Sequence, residues 1–340
     1  FFGLLALLAQ TGELYGPKKS REFVRAYGTS PQWSLAASFF AMILIAGLAL
    51  LGLYLGRYYG AEVAYAKGTR ALAANQAEAA MVSFGQALRL NPKRFEYHIG
   101  AAQAAFRLAL AQSKTSQPDQ AKLGQFISAA VSQARLAAQL NPRSAVAWEM
   151  LAGVYAQVRT FTPDATKWAL EAYGTAIALE PTNPALYLTR GVLYRDEKKT
   201  AEAKVDFEKA LSLKRNYVPA YLALSKIAEE EKDTDKAIEL AQKAVQFGRG
   251  DIDIAFNLAR LYYNRNQGED LNTAEQILKA ILARNPNHSN ARFTLGALYE
   301  RKGDIARALG EYRKVAELNP NHPAVQAKIS ALTGGQTAGE

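Results

Sequence analysis

"VAELNPNHPAV" (Val315–Val325) holds the decisive signal. An apolar helical pattern stops at Leu318, an Asn-Pro pair follows, and a second apolar pattern begins. Pro320 lacks a backbone N–H and biases the residue before it away from helical geometry, so the pair marks a turn. The same ending appears in "LRLNP" (88–92), "AQLNP" (138–142), "IALEP" (177–181) and "LARNP" (282–286). A chain that ends helix after helix in one way is built of repeats, and the prolines measure the period.

From Pro286 to Pro320 the spacing is 34 residues. With proline as the thirty-second position, repeat 289–322 places Leu295, Gly296, Tyr299, Ala308 and Tyr312 at positions seven, eight, eleven, twenty and twenty-four. Repeat 184–217 supplies Tyr187, Gly191, Tyr194, Ala203, Phe207 and Ala210 in register, and 218–251 supplies Tyr221, Ser225, Ala228, Ala237 and Ala244. Looser copies cover 61–94, 95–144, 145–183 and 252–288. Small residues let paired helices approach, aromatics fill the space beside them, and stacking buries what one pair cannot.

This spacing resembles the tetratricopeptide repeat (TPR) family over 61–322. The resemblance implies an all-α superhelical solenoid of about seven helix-turn-helix repeats over 57–332. "PAVQAKISAL" (323–332) reads as a cap helix and 333–340 as a flexible tail.

Ahead of the repeats, "SLAASFFAMILIAGLALLGLYLG" (34–56) runs for 23 residues without a charge. At about 1.5 Å per residue that is enough to cross a hydrocarbon core of about 30 Å, so a transmembrane helix is expected there. Trp33 on one side and Tyr54, Tyr58 and Tyr59 on the other suit the two interfaces. Residues 11–33 read as a basic hinge, and 1–10, "FFGLLALLAQ", as the end of another apolar helix in a fragment or processed product. Lys18, Lys19, Arg21 and Arg25 precede the span, against Arg57, Lys67 and Arg70 after it. That bias sends the repeats to the extracytoplasmic side of a membrane protein.

The net charge of +10 suggests nucleic acid until it is divided. Residues 1–56 hold four Lys/Arg against two Asp/Glu, which leaves 37 against 29 interspersed over the repeats. No basic run or aromatic-basic interleaving occurs, so a nucleic-acid partner is not expected. No cysteine is present, which excludes disulfides and thiolate sites. His288 and His322 occupy equivalent turns, so repetition explains them better than a metal. Without a phosphate-cradling loop or nucleophile elbow, no catalytic residue, cofactor or metal is expected.

The TPR resemblance implies protein or peptide partners in a groove lined by first helices. Its groove positions give Leu188, Arg195 and Asp196 in repeat four. They give Phe256, Arg260, Tyr263 and Asn264 in repeat six, and Phe293, Glu300 and Arg301 in repeat seven. Excess residues at 111–124, 159–167 and 266–272 read as loops along one rim, an alternative binding edge. The chain also resembles the last span and TPR tail of bacterial O-antigen ligase and polymerase proteins. "WALEAYGTAIALEPTNPALYLTRGVLY" (168–194) and the Lys-rich hinge carry that likeness. It implies a non-catalytic scaffold serving cell-surface polysaccharide assembly. The alternatives are a structural subunit, a homo-oligomer stacked end to end through its solenoids, and the non-catalytic tail of an O-antigen ligase-type enzyme whose core would lie upstream.

Overall fold

Each Asn-Pro or Glu-Pro pair ends a helix where the spacing places it. In the computed structural model, Asn91, Asn141, Asn285 and Asn319 are C-cap residues whose N–H groups bond back to Ala87, Ala137, Ile281 and Val315. The structure describes residues 31–159, 162 and 164–334; the expectations for 1–30 and 335–340 lie outside them. Among the described residues there are fifteen helices and no strand.

The helices group into two compact units, divided between Asn141 and Pro142. In the first, α1 (Pro31–Ala73) is followed by α2 (Ala77–Leu90), α3 (Phe95–Ser113) and α4 (Gln120–Leu140). The second holds α5 (Ala145–Val158), α6 (Ala165–Leu179), α7 (Pro184–Asp196), α8 (Thr200–Leu213), α9 (Val218–Glu230) and α10 (Thr234–Phe247). It continues with α11 (Ile252–Arg265), α12 (Asp270–Arg284), α13 (Ser289–Arg301), α14 (Ile305–Leu318) and α15 (Pro323–Gly334).

The expected span and the first helix of the first repeat are one helix. α1 runs 43 residues without a break at Gly56, since nothing from Arg57 to Gly60 caps or breaks it. The large apolar side chains from Leu35 to Tyr59 are exposed, with Leu53 at 67%. From Ala61 onward Ala61, Ala64 and Leu72 are buried against α2 and α3.

Small residues admit the large ones as the register requires. The Phe84 ring of α2 is wedged between two glycines, and a Cβ would come within 2.7 Å of it at Gly68 and 2.5 Å at Gly100. At Gly191 an added Cβ would meet Phe207 at 2.6 Å, and at Gly296 it would meet Tyr312 at 2.9 Å. Ser225 holds the equivalent place in α9, where its buried hydroxyl donates to the Ala237 carbonyl at 2.8 Å. Around these contacts lie the cores of the second unit, from Ala176 to Ala220, from Ala203 to Leu261, and from Ala259 to Val325.

Two further regularities hold the repeats together. In α3, α5, α7, α9, α13 and the last helix α15, but not in α11, the fourth residue bonds to the carbonyl six residues back, five times that of the proline. His98 Nε2 lies 2.9 Å from the Pro92 oxygen, a geometry in which that nitrogen donates. Trp148 donates to Pro142 at 2.9 Å, Tyr187 to Pro181 at 3.0 Å and Tyr221 to Arg215 at 3.0 Å. Arg292 donates to Pro286 at 2.7 Å and Gln326 to Pro320 at 3.3 Å. Six side chains of five chemistries thus tie a helix to the carbonyl one residue past the C-cap of the helix before it. The second regularity is a left-handed residue in the turn within a repeat: Asn75, Lys198, Lys232, Asn266 and Gly303 all have φ between 52° and 80°.

The expected loop at 111–124 is corrected by the structure. The excess extends the helices: α3 has 19 residues and α4 has 21, against 13 and 14 in α7 and α8. Only Lys114–Asp119 connects them, and Asp119 caps α4 by accepting from Ala121 and Lys122 N–H at 3.0 and 3.1 Å. Nor is 266–272 a free loop. The buried Asp270 carboxylate accepts from Gln267 N–H at 2.9 Å and takes both guanidinium arms of Arg265, at 2.8 and 2.6 Å.

Candidate functional site

The first-helix face of the second unit is built by α7, α9, α11 and α13, and the residues expected there divide by what already holds them. Leu188 is half-buried between two core clusters. Arg195 pairs with Asp196 at 3.1 Å, and Asp196 pairs with Arg159, the C-cap residue of α5, at 2.9 Å. Phe256 packs on the core of the last repeats, its ring 5.3 Å from that of His288. Phe293 is similarly placed, 5.4 Å from Tyr312. Glu300 accepts from the Tyr312 hydroxyl at 2.9 Å and from Lys328 of α15 at 2.9 Å. Arg301 lies over the Tyr263 ring at 4.1 Å and donates to the Tyr263 carbonyl at 2.6 Å. Asn264 is exposed.

Arg260 is the most committed of them. Its two terminal nitrogens take Glu229 of α9 in a bidentate pair, at 2.5 and 2.7 Å, and one also donates to Asn257 at 2.9 Å. The Arg260 hydrogen bond is the first reason the Glu229 carboxyl sits below the usual carboxylate range. Arg260 and Glu229 therefore latch two successive first helices together, as Arg301 and Tyr263 do one repeat later.

Beside this latch α9 and α11 stand apart around a cleft of about 610 Å3. Val218, Pro219, Leu222 and Ile254 give it apolar wall, while Glu229, Arg260, Asn257, Asp251 and Asp253 give it polar edge. Lys226 reaches it too; its side chain is exposed and has no hydrogen-bond partner among the described residues. The volume falls within the roughly 300–1,000 Å3 of ligand pockets. Sequence reasoning passed over this repeat, although the register offered it: Pro219, Leu222, Lys226 and Glu229 occupy the second, fifth, ninth and twelfth positions of 218–251. The arrangement suits reversible binding of a chain segment by apolar contact and charge. It presents no paired acid and base and no nucleophile beside a base.

The tetratricopeptide repeat family matches residues 184–217, 218–247 and 267–332. These segments are tetratricopeptide repeats. Of the two walls of the cleft, α9 lies inside a matched segment and α11 falls between the second and third. Among curated proteins, the chain is 31% identical over 150 residues to BBSome complex member BBS4 of Bos taurus, covering 44% of this chain and 28% of that one. It is 27% identical over 179 residues to the TPR and J domain-containing co-chaperone DNJ1 of Fusarium oxysporum f. sp. lycopersici, covering 49% and 33%. It is 25% identical over 196 residues to the human mitochondrial import receptor subunit TOM70, covering 57% and 30%. The chain spans about a third or less of the length of these relatives.

Yeast Tom70 superposes with a TM-score of 0.53 at 15% identity, over 91% of this chain and 61% of that one. A TPR protein of Parabacteroides merdae does so with 0.51 at 16% identity, over 81% and 99%. At such identities the likeness is one of fold, an all-α helical-repeat solenoid. These relatives lend nothing to the O-antigen ligase resemblance.

Proposed function

We propose that this chain is a non-catalytic TPR scaffold that holds an extended segment of a partner protein in the α9–α11 cleft. The observation that carries the reading is the apolar wall of Val218, Pro219, Leu222 and Ile254, edged by Lys226, which has no hydrogen-bond partner among the described residues and acts on Glu229 through charge alone. The other charges of the first-helix face, Arg260, Glu300 and Arg301, are largely engaged between repeats and serve to set its spacing. A segment that offers an apolar side chain flanked by charges of both signs fits this lining, where Glu229, Asp251 and Asp253 face Lys226 and Arg260. Protein partners agree with the TPR repeats and with relatives named as a co-chaperone and an import receptor subunit. The expected groove residues Asn264 and Phe293 extend the same face toward α13.

The test is selection of displayed random peptides on the full chain in detergent. Wild-type protein should enrich apolar sequences flanked by charge, and the Leu222→Asp/Lys226→Glu variant should lose them while keeping its helical circular dichroism. Equal binding by a folded variant would place the partner elsewhere.

The scaffold is held to a membrane by α1, whose apolar stretch from Leu35 is long enough to cross a bilayer and has nothing packed over it. By the bias of basic residues, four before the span against three after it, the repeats stand on the extracytoplasmic side. This reading suits service to a cell-surface polysaccharide enzyme. Protease added to intact spheroplasts should then digest the repeats. Survival of the repeats until lysis would invert the topology and remove that role.

A further inference from the structure

We propose that the α2–α3 turn and the adjoining stretch of α1 form a seat for anionic phospholipid headgroups; this rests on α1 crossing a bilayer. The position of the turn is set by packing. α2 returns antiparallel along α1, so its last residue, Leu90, meets α1 at Gly60, where an added Cβ would lie 3.3 Å from Leu90 Cδ1. Ala61, Ala64, Ala87 and Tyr97 bury the same junction. Residues 91–94 therefore stand level with Arg57–Glu62 of α1.

That level is where the exposed apolar surface of α1 ends. Five residues separate Leu55 from Gly60, a rise of about 7.5 Å. The headgroup layer adds about 5–8 Å on each side of the hydrocarbon core, so the turn lies within it. Tyr54, Tyr58 and Tyr59 are exposed at the same height, where aromatic side chains favour the interface.

Four cations belong to this turn and the helix residues beside it: Arg57 of α1, Arg89 of α2, and Lys93 and Arg94 of the turn. Arg94 is occupied, 3.3 Å from Glu62 and 3.5 Å from Glu96. Arg57, Arg89 and Lys93 are exposed and enter no ion pair among the described residues. The two acids at this level thus neutralise a different cation and leave three free. Free cations at the edge of an apolar collar fit phosphodiester headgroups carrying net negative charge, which draw juxtamembrane Lys and Arg. The chemistry asks for charge and not for one lipid species.

The experiment places the full chain in nanodiscs of phosphatidylcholine with a quarter phosphatidylglycerol and counts the lipids retained in native mass spectrometry. Retained phosphatidylglycerol should exceed its bulk share by about threefold, and the excess should vanish in Arg57→Gln/Arg89→Gln/Lys93→Gln. No excess in the wild type, or the same excess in the triple variant, overturns the seat. Since the chain has no cysteine, a single environment-sensitive dye on Ile43→Cys reports insertion in the same nanodiscs. A dye in water would remove the span and the seat together. A dye in lipid without phosphatidylglycerol excess would remove the seat alone.

Discussion

At the scale of single residues, two glycines within neighbouring helices have opposite roles. Gly191 in α7 faces Phe207 so closely that a Cβ would sit 2.6 Å from its ring and 3.2 Å from Asp206 Cβ. Neither can withdraw easily, since Phe207 is fully buried and Asp206 is held by Arg190 in a bidentate pair at 2.8 and 2.7 Å. Gly174 in α6 has nothing within 4 Å of its would-be Cβ. Gly191→Leu should therefore cost about 1–3 kcal/mol by overpacking. Gly174→Ala should add about 0.5–1 kcal/mol by removing a flexible residue from a helix interior. Thermal melts of the two variants check this, and a Gly191→Leu melt that matches wild type would mean the register is wrong. That register was legible because the proline spacing fixes it and position eight then names Gly191. The cleft was legible too, in Leu222 and Lys226, once the same positions are read in the repeat between those chosen. What the sequence could not show was commitment. Arg260 looks like a free groove cation until Glu229, 31 residues earlier, is seen to hold it.

At the scale of elements, the turns within repeats carry strain that the sequence hides. Lys198 and Lys232 adopt φ of 60° and 65°, the left-handed conformation that Gly303 adopts at 80° in the last repeat. An L side chain pays roughly 1–2 kcal/mol to enter that region, whereas glycine enters freely. Lys198→Gly should raise the melting temperature, and Gly303→Ala should lower it. Paired melts in one buffer check the sign, and a Lys198→Gly variant less stable than wild type would show that its side chain contributes more than its backbone costs. The stretch "AQSKTSQPDQAKLG" shows the converse, a loop composition that conceals two longer helices. The signal was present, since Pro118-Asp119 ahead of an apolar pattern is a helix start. Polar composition outweighed it because α3 and α4 end on exposed surface, where Ser, Gln and Lys are tolerated in helices.

At the scale of the whole molecule, the repeats of the second unit are tied by ion pairs whose acids are displaced together. The Glu229 carboxyl is lowered by Arg260 and that of Asp270 by Arg265. Burial alone would raise Glu275, but hydrogen bonds from Lys279 and Lys302 overcome it and hold the carboxyl at about 2. Glu300 behaves alike, burial being outweighed by Lys328 and Tyr312. A carboxyl whose pKa is depressed on folding adds stability above its unfolded value, and loses it as pH falls through the folded one. The unfolded value for glutamate is 4.5, so with Glu275 the loss falls between about 4.5 and about 2. These acids bind one repeat to the next: Glu229 in α9 holds Arg260 in α11, Glu275 in α12 holds Lys302 after α13, and Glu300 in α13 holds Lys328 in α15. Each repeat contacts its neighbours alone, so weakening those junctions should loosen this stretch before the rest. Amide hydrogen exchange from pH 7 to pH 3, corrected for the intrinsic rate, should show protection falling first across α9–α14, with α2–α4 as the comparison. Adding Glu275→Gln should bring the α12–α13 loss to higher pH, because that junction then lacks its anion throughout. Uniform loss along the chain, or a Glu275→Gln profile that overlays wild type, would place the stability of the stack in its apolar contacts instead of in these pairs.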